Sequence, residues 1–235
     1  MQPTSNDVSF NLFGFPTVIQ PFFWLIAAVI TAVSLGPIDN MPFWIAKMLL
    51  GMAGVLLAIL VHELGHAFVF RHVFHTPCAI VLHSFGGMAI PMQPYARHYG
   101  FRGMISNGFL SFAGPLAGFM LAFVIIMLLQ VIPDDDKPMS SLFTFFLQWT
   151  ATISIIWGIF NLLPIYPMDG GHIAREMFVY FFQRRGIDYS LVISMLFASL
   201  LAILALRYHA FFIAVILAYF AYQNYQELTQ GTFRR

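Results

Sequence analysis

The residues best equipped for chemistry are His62-Glu63-Leu64-Gly65-His66. On a helix, positions i and i+4 share a face. Two imidazoles at that spacing can hold one Zn²⁺, with the glutamate between them placed to act as a base toward water. A catalytic zinc site needs a third protein ligand and an open fourth position. The place to look is Asn161-Leu-Leu-Pro164-Ile-Tyr-Pro167-Met-Asp169-Gly-Gly-His172. Its prolines end or unwind a helix, and its glycines allow tight turns. Asp169 is the first candidate, because a carboxylate buried at a helix break needs a cation. His172 is its rival. His72, His75, His83, His98 and His209 read as interface residues.

The elements that must position these groups are set by composition. The chain has 235 residues, 60% of them hydrophobic and only 9% charged, with mean hydropathy +0.80. A soluble domain runs near 45–50% apolar and about 25% charged. An ordinary soluble enzyme and a disordered chain are therefore excluded. A formal net charge of +1 gives no reason to expect nucleic acid as a partner. The single cysteine, Cys78, allows no internal disulfide.

No Asp, Glu, Lys or Arg lies between Asp7 and Asp39, Arg102 and Asp134, Lys137 and Asp169, Asp188 and Arg207, or Arg207 and Glu227. About 20 apolar residues cross a bilayer as a helix. The pattern predicts an all-α polytopic membrane protein with six spans, near 17–35, 43–70, 109–132, 142–163, 190–206 and 209–226. A single domain, 1–235, uses the whole chain. No basic stretch precedes the first apolar run, so a cleaved signal peptide is not expected. Counting back from Arg71, His66 and His62 lie about 8 and 14 Å inside the basic end of the second span. Ionisable groups at that depth are functional by default. Six spans put Arg71, Arg97, Arg102, Arg175, Arg184, Arg185, Arg234 and Arg235 on one side, against Lys47, Lys137 and Arg207. The positive-inside rule makes the first side cytosolic, both termini included.

The first 16 residues, polar and aromatic, are expected at the membrane interface. Between spans two and three, Cys78–His83 and Met88–Ile90 flank a Gly86-Gly87 turn and predict a β-hairpin. Too apolar for a solvated loop, it is expected to be partly embedded beside a wet cavity. Gly114 and Gly118 form a small-xxx-small face, read as helix packing. Asp134–Lys137 reads as a solvated turn.

The two motifs together, with Phe85-Gly-Gly87 and Ala113-Gly-Pro-Leu-Ala117, resemble the site-2 protease family of intramembrane zinc metalloproteases. The resemblance spans roughly helices two to four. It implies that His62, His66 and Asp169 are zinc ligands and that Glu63 is catalytic. Many members carry a PDZ or CBS domain, and this sequence has neither. Many also have an Asn just after the glycine-proline motif, near where Gly118 stands here. Asn161, His172, Gly86 and Gly87 are the candidates for contacting substrate or its oxyanion. The expected activity is hydrolysis within or near the transmembrane segment of a single-pass protein, freeing a signalling or transcription regulator. The expected setting is the bilayer of a plasma or inner membrane. The alternative is a membrane metal-binding protein without hydrolysis, a transporter or a pseudo-protease.

Overall fold

A computed structural model describes residues 6–38, 40–95, 100–131 and 138–233. The expected turn Asp134–Lys137, together with Arg97, His98, Arg234 and Arg235, lies outside the described residues. In chain order the elements are β1 (Val8–Leu12), β2 (Phe15–Ile19), α1 (Pro21–Leu35), α2 (Met41–His72), β3 (Cys78–His83) and β4 (Gly86–Pro91). They are followed by α3 (Gly100–Leu129), α4 (Pro138–Asn161), α5 (Asp169–Phe182), α6 (Arg184–Arg207) and α7 (Phe211–Phe233). Helices occupy each of the six expected apolar segments. Four of them, α2, α3, α4 and α6, are long and apolar enough to cross a membrane, which makes this a multi-pass membrane protein. α1 is shorter, at 15 residues. Length and apolarity thus support four of the six expected spans among the described residues.

The chain divides into two compact units, Met1–Ala96 with Ala113–Ile159, and Arg97–Phe112 with Phe160–Arg235. In the first unit four strands form one sheet in the order β1-β2-β3-β4. The predicted hairpin is present, with Leu82 opposite Gly87 and His83 opposite Gly86. The N-terminal segment corrects the sequence reading. Residues 8–12 and 15–19 are strands rather than a polar lead-in and the start of a helix, and β2 pairs in parallel with β3, Val18 opposite Val81. Phe15, Thr17 and Ile19 are buried while Pro16 is exposed, the period-2 pattern of a strand. In a continuous apolar run that pattern is masked. Pro21 then opens α1 at its first turn, where no amide donor is needed.

At 32 residues α2 extends about 48 Å. Asn40 caps it by accepting from the Phe43 N–H at 3.2 Å, and Arg71 and His72 stand in its last turn, where cations favour the helix dipole. Its buried stripe runs Gly51, Val55, Ala58, Ile59, His62, His66, Phe70. Gly51 admits Thr31 of α1, and a Cβ at Gly54 would come 2.8 Å from Thr150 Oγ1 of α4. Ala122 and Ile125 of α3 pack on Leu147 and Ala151 of α4.

The second unit contains a helix absent from the sequence reading. α5 begins at Asp169, directly after the proline break. Around the loop before it, Ile165 and Met168 pack with Ala198, Ala202 and Leu217 of α6 and α7.

Candidate metal centre

In the first unit, His62, Glu63 and His66 sit on the inner stripe of α2, only 2%, 4% and 9% exposed. The two Nε2 atoms are 3.3 Å apart, and the rings meet edge-on with centroids 5.0 Å apart. Helical i, i+4 spacing thus aims both nitrogens at one point. A carboxylate buried to this degree is costly unless it has a partner or a proton to hold.

Glycines let the walls close on this triplet. A Cβ at Gly65 would strike the Ala113 carbonyl of α3. A Cβ at Gly114 would overlap His66 Nε2 and fall 2.7 Å from His62 Nε2. From the hairpin, a Cβ at Gly87 would overlap Glu63 Cγ and fall 2.7 Å from its Oε1. Gly86 has φ +120, and its missing side chain leaves room for the Trp157 indole of α4. That indole stands edge-on to His62, with centroids 6.4 Å apart. Gly86 and Gly87, expected near substrate, therefore pack against Trp157 and Glu63.

In the second unit, Asp169 is the first residue of α5, half-buried, where the helix dipole favours a carboxylate. The loop ahead of it is held by its own backbone and by two distant helices. Gly170 and Gly171 allow it to fold back, since a Cβ on either would strike backbone between Leu162 and Tyr166. The Tyr166 N–H donates to Ser194 Oγ of α6 at 2.6 Å. Asn224 of α7 donates to the Tyr166 carbonyl at 2.6 Å and to the Phe220 carbonyl at 2.7 Å. Arg175 lies over the Tyr166 ring, 3.8 Å from its centroid, and pairs with Glu227 at 3.0 Å. His172 stands edge-on to the same ring, with centroids 4.9 Å apart. Asn161 ends α4.

Among the described residues, the group of His, Cys, Asp and Glu with the donors for a metal ion is His62, His66 and Asp169. Two imidazole nitrogens and one carboxylate oxygen suit zinc. His172, the rival ligand, is not in that group.

Residues 131–204 match the family model described as Peptidase family M50. A zinc metalloprotease of Methanocaldococcus jannaschii is 27% identical over 172 residues, 72% of this chain and 44% of that protein. Stage IV sporulation protein FB of Bacillus subtilis is 32% identical over 160 residues, 68% of this chain and 46% of that protein. The solved site-2 protease from Methanocaldococcus jannaschii shares the fold, with TM-score 0.60 and 22% identity, covering 94% of this chain and 95% of that one. In sequence and in fold the chain is similar to the site-2 protease family of zinc metalloproteases. It spans less than half the length of these two curated relatives.

Sequence reasoning missed three parts of the surroundings. Gly114 was visible in the small-xxx-small pattern, but that pattern could not show that imidazoles, rather than another helix, fill the space. Ser194 and Asn224 stand in apolar helices far along the chain, with no spacing to link them to Tyr166. Trp157 has no sequence spacing that ties it to His62 or Gly86. Cys78, 2% exposed, has no part in the donor set. Burial pushes its thiol up to about 11, opposed by the nearby Arg71 guanidinium.

Proposed function

We propose that this chain is an intramembrane zinc endopeptidase of the site-2 protease type, with His62, His66 and Asp169 as zinc ligands and Glu63 as general base. The observation that carries the proposal is the buried pair of Nε2 atoms 3.3 Å apart with a buried glutamate between them in sequence. Zinc at such a site supplies Lewis acidity, acidifying water and polarising a scissile carbonyl. Every other part of the reaction belongs to the chain. The Glu63 carboxylate takes a proton from the attacking water and returns it to the leaving amine. Contact with Gly87 restrains the swing of that carboxylate. Asn161 and His172 are candidate donors to the oxyanion that develops on the carbonyl.

The substrate is a membrane-anchored protein cut within or near its transmembrane segment, releasing a signalling or transcription regulator. A helical substrate hides its peptide bonds in i→i−4 hydrogen bonds, so it must be unwound first. β4 is an edge strand, and an extended peptide can add to such an edge.

The test compares wild type with Glu63→Gln in detergent, measuring zinc content and cleavage of a single-pass substrate. Glu63→Gln is expected to keep zinc and lose cleavage. Normal turnover by that variant overturns the assignment of the base. Zinc binding by wild type without cleavage, joined to zinc uptake into vesicles, favours a transporter instead.

A further inference from the structure

We propose that Gly114 is a positioning residue for the two imidazoles, setting their seat at the metal rather than the packing of α3. The inference rests on the zinc reading. Gly114 and Gly118 are indistinguishable as a small-xxx-small pair in the sequence, yet their surroundings differ. A methyl group at Gly118 would meet one atom, the Ser154 carbonyl oxygen, at 3.5 Å, which is ordinary contact. A methyl group at Gly114 would overlap His66 Nε2 and lie 2.6 Å from His66 Cε1 and 2.7 Å from His62 Nε2. Its three nearest neighbours are all imidazole atoms, two of them the proposed donors. Gly65 makes the complementary case. Its missing side chain makes room for the Ala113 carbonyl, a backbone group that cannot move aside. Two glycines, 65 and 114, thus bring α2 and α3 together, but only Gly114 faces the donors.

The consequences of adding a methyl group separate accordingly. An imidazole is the end of a side chain and can yield to a new Cβ where backbone cannot. The metal-free fold of Gly114→Ala is therefore preserved. Two imidazoles sharing one ion cannot both turn away, so the cost falls on metal binding. Groups that orient metal ligands change affinity by about 10- to 100-fold when altered, and Gly114→Ala is assigned a loss of that size.

The experiment uses the full chain in detergent micelles and compares wild type, Gly114→Ala and Gly118→Ala. Zinc affinity is read by competition with a chromophoric chelator. The visible spectrum of bound Co²⁺ reports the geometry of the donors, and the thermal midpoint is taken without metal. Gly114→Ala is expected to lose about 10- to 100-fold in zinc affinity, with an altered Co²⁺ spectrum and an unchanged metal-free midpoint. Gly118→Ala is expected to match wild type in all three. Wild-type affinity in Gly114→Ala overturns the inference. So does an equal loss in Gly118→Ala, or a fall in the metal-free midpoint of Gly114→Ala that accounts for its weaker binding. A wild type that holds no zinc overturns the metal reading beneath it.

Discussion

His62, Glu63 and His66 are all buried on α2, and each of the two jobs proposed for them, holding zinc and moving a proton, has its own glycine. Gly114 abuts the imidazole nitrogens and Gly87 abuts the Glu63 carboxylate. Gly87→Ala would push the carboxylate aside while leaving the imidazoles alone. Its expected outcome is a fall in cleavage of about 100-fold, within the usual contribution of general acid–base catalysis, with zinc content unchanged. Parallel measurements of turnover and bound zinc check this. Loss of zinc in Gly87→Ala would show that the hairpin supports the ligands and not the base.

Elements far apart in the chain hold the second half of the proposed site. Tyr166, three residues before Asp169, has its N–H bound by Ser194 of α6 and its carbonyl by Asn224 of α7. Asn224 is 1% exposed. Asn224→Leu leaves that carbonyl without its side-chain donor, which costs about 1–3 kcal/mol. Denaturant unfolding in micelles measures the loss, and an unchanged midpoint would remove the clamp from the account. In the first unit, β4 is the last strand of the sheet among the described residues. Proline lacks the N–H that an added strand would bind. Proline substitutions at Met88, Ala89 and Ile90, placed singly, are expected to impair cleavage at one position or more while zinc stays bound. Unimpaired cleavage in all three counts against substrate addition at this edge.

At the scale of the whole molecule, the bilayer decides which helices cross. Four are long and apolar enough, and the sequence reading adds α1 and α7. Both counts are even, so either one leaves the described ends of the chain on the same side. The six-span expectation puts both ends with Arg71, Arg102, Arg175, Arg184 and Arg185 on the arginine-rich side, expected to be cytosolic, whereas four spans would put both ends on the opposite side. Reporter domains fused after Phe233 and before Asn6 are expected to report a cytosolic location for both. Opposite locations would mean that only one of α1 and α7 crosses.

Some of this was legible in the sequence because it depends on local spacing and solvent. Charge-free runs fall where helices form, because a membrane tolerates neither free charge nor unpaired backbone groups. An i, i+4 histidine pair shares a face wherever the helix is placed. The β3–β4 hairpin followed from apolar runs around Gly86-Gly87. The N-terminal strands were hidden because an apolar strand and the start of an apolar helix look alike until a partner strand, here β3, supplies hydrogen bonds. α5 was hidden by the glycines and prolines around Asp169, which act there as a tight turn leading into a helix. Only tertiary structure decided which of two identical glycines meets imidazoles, and which polar residues of α6 and α7 hold the loop before Asp169. Those choices depend on distances between segments remote in the chain, and no local pattern of residue types encodes such distances.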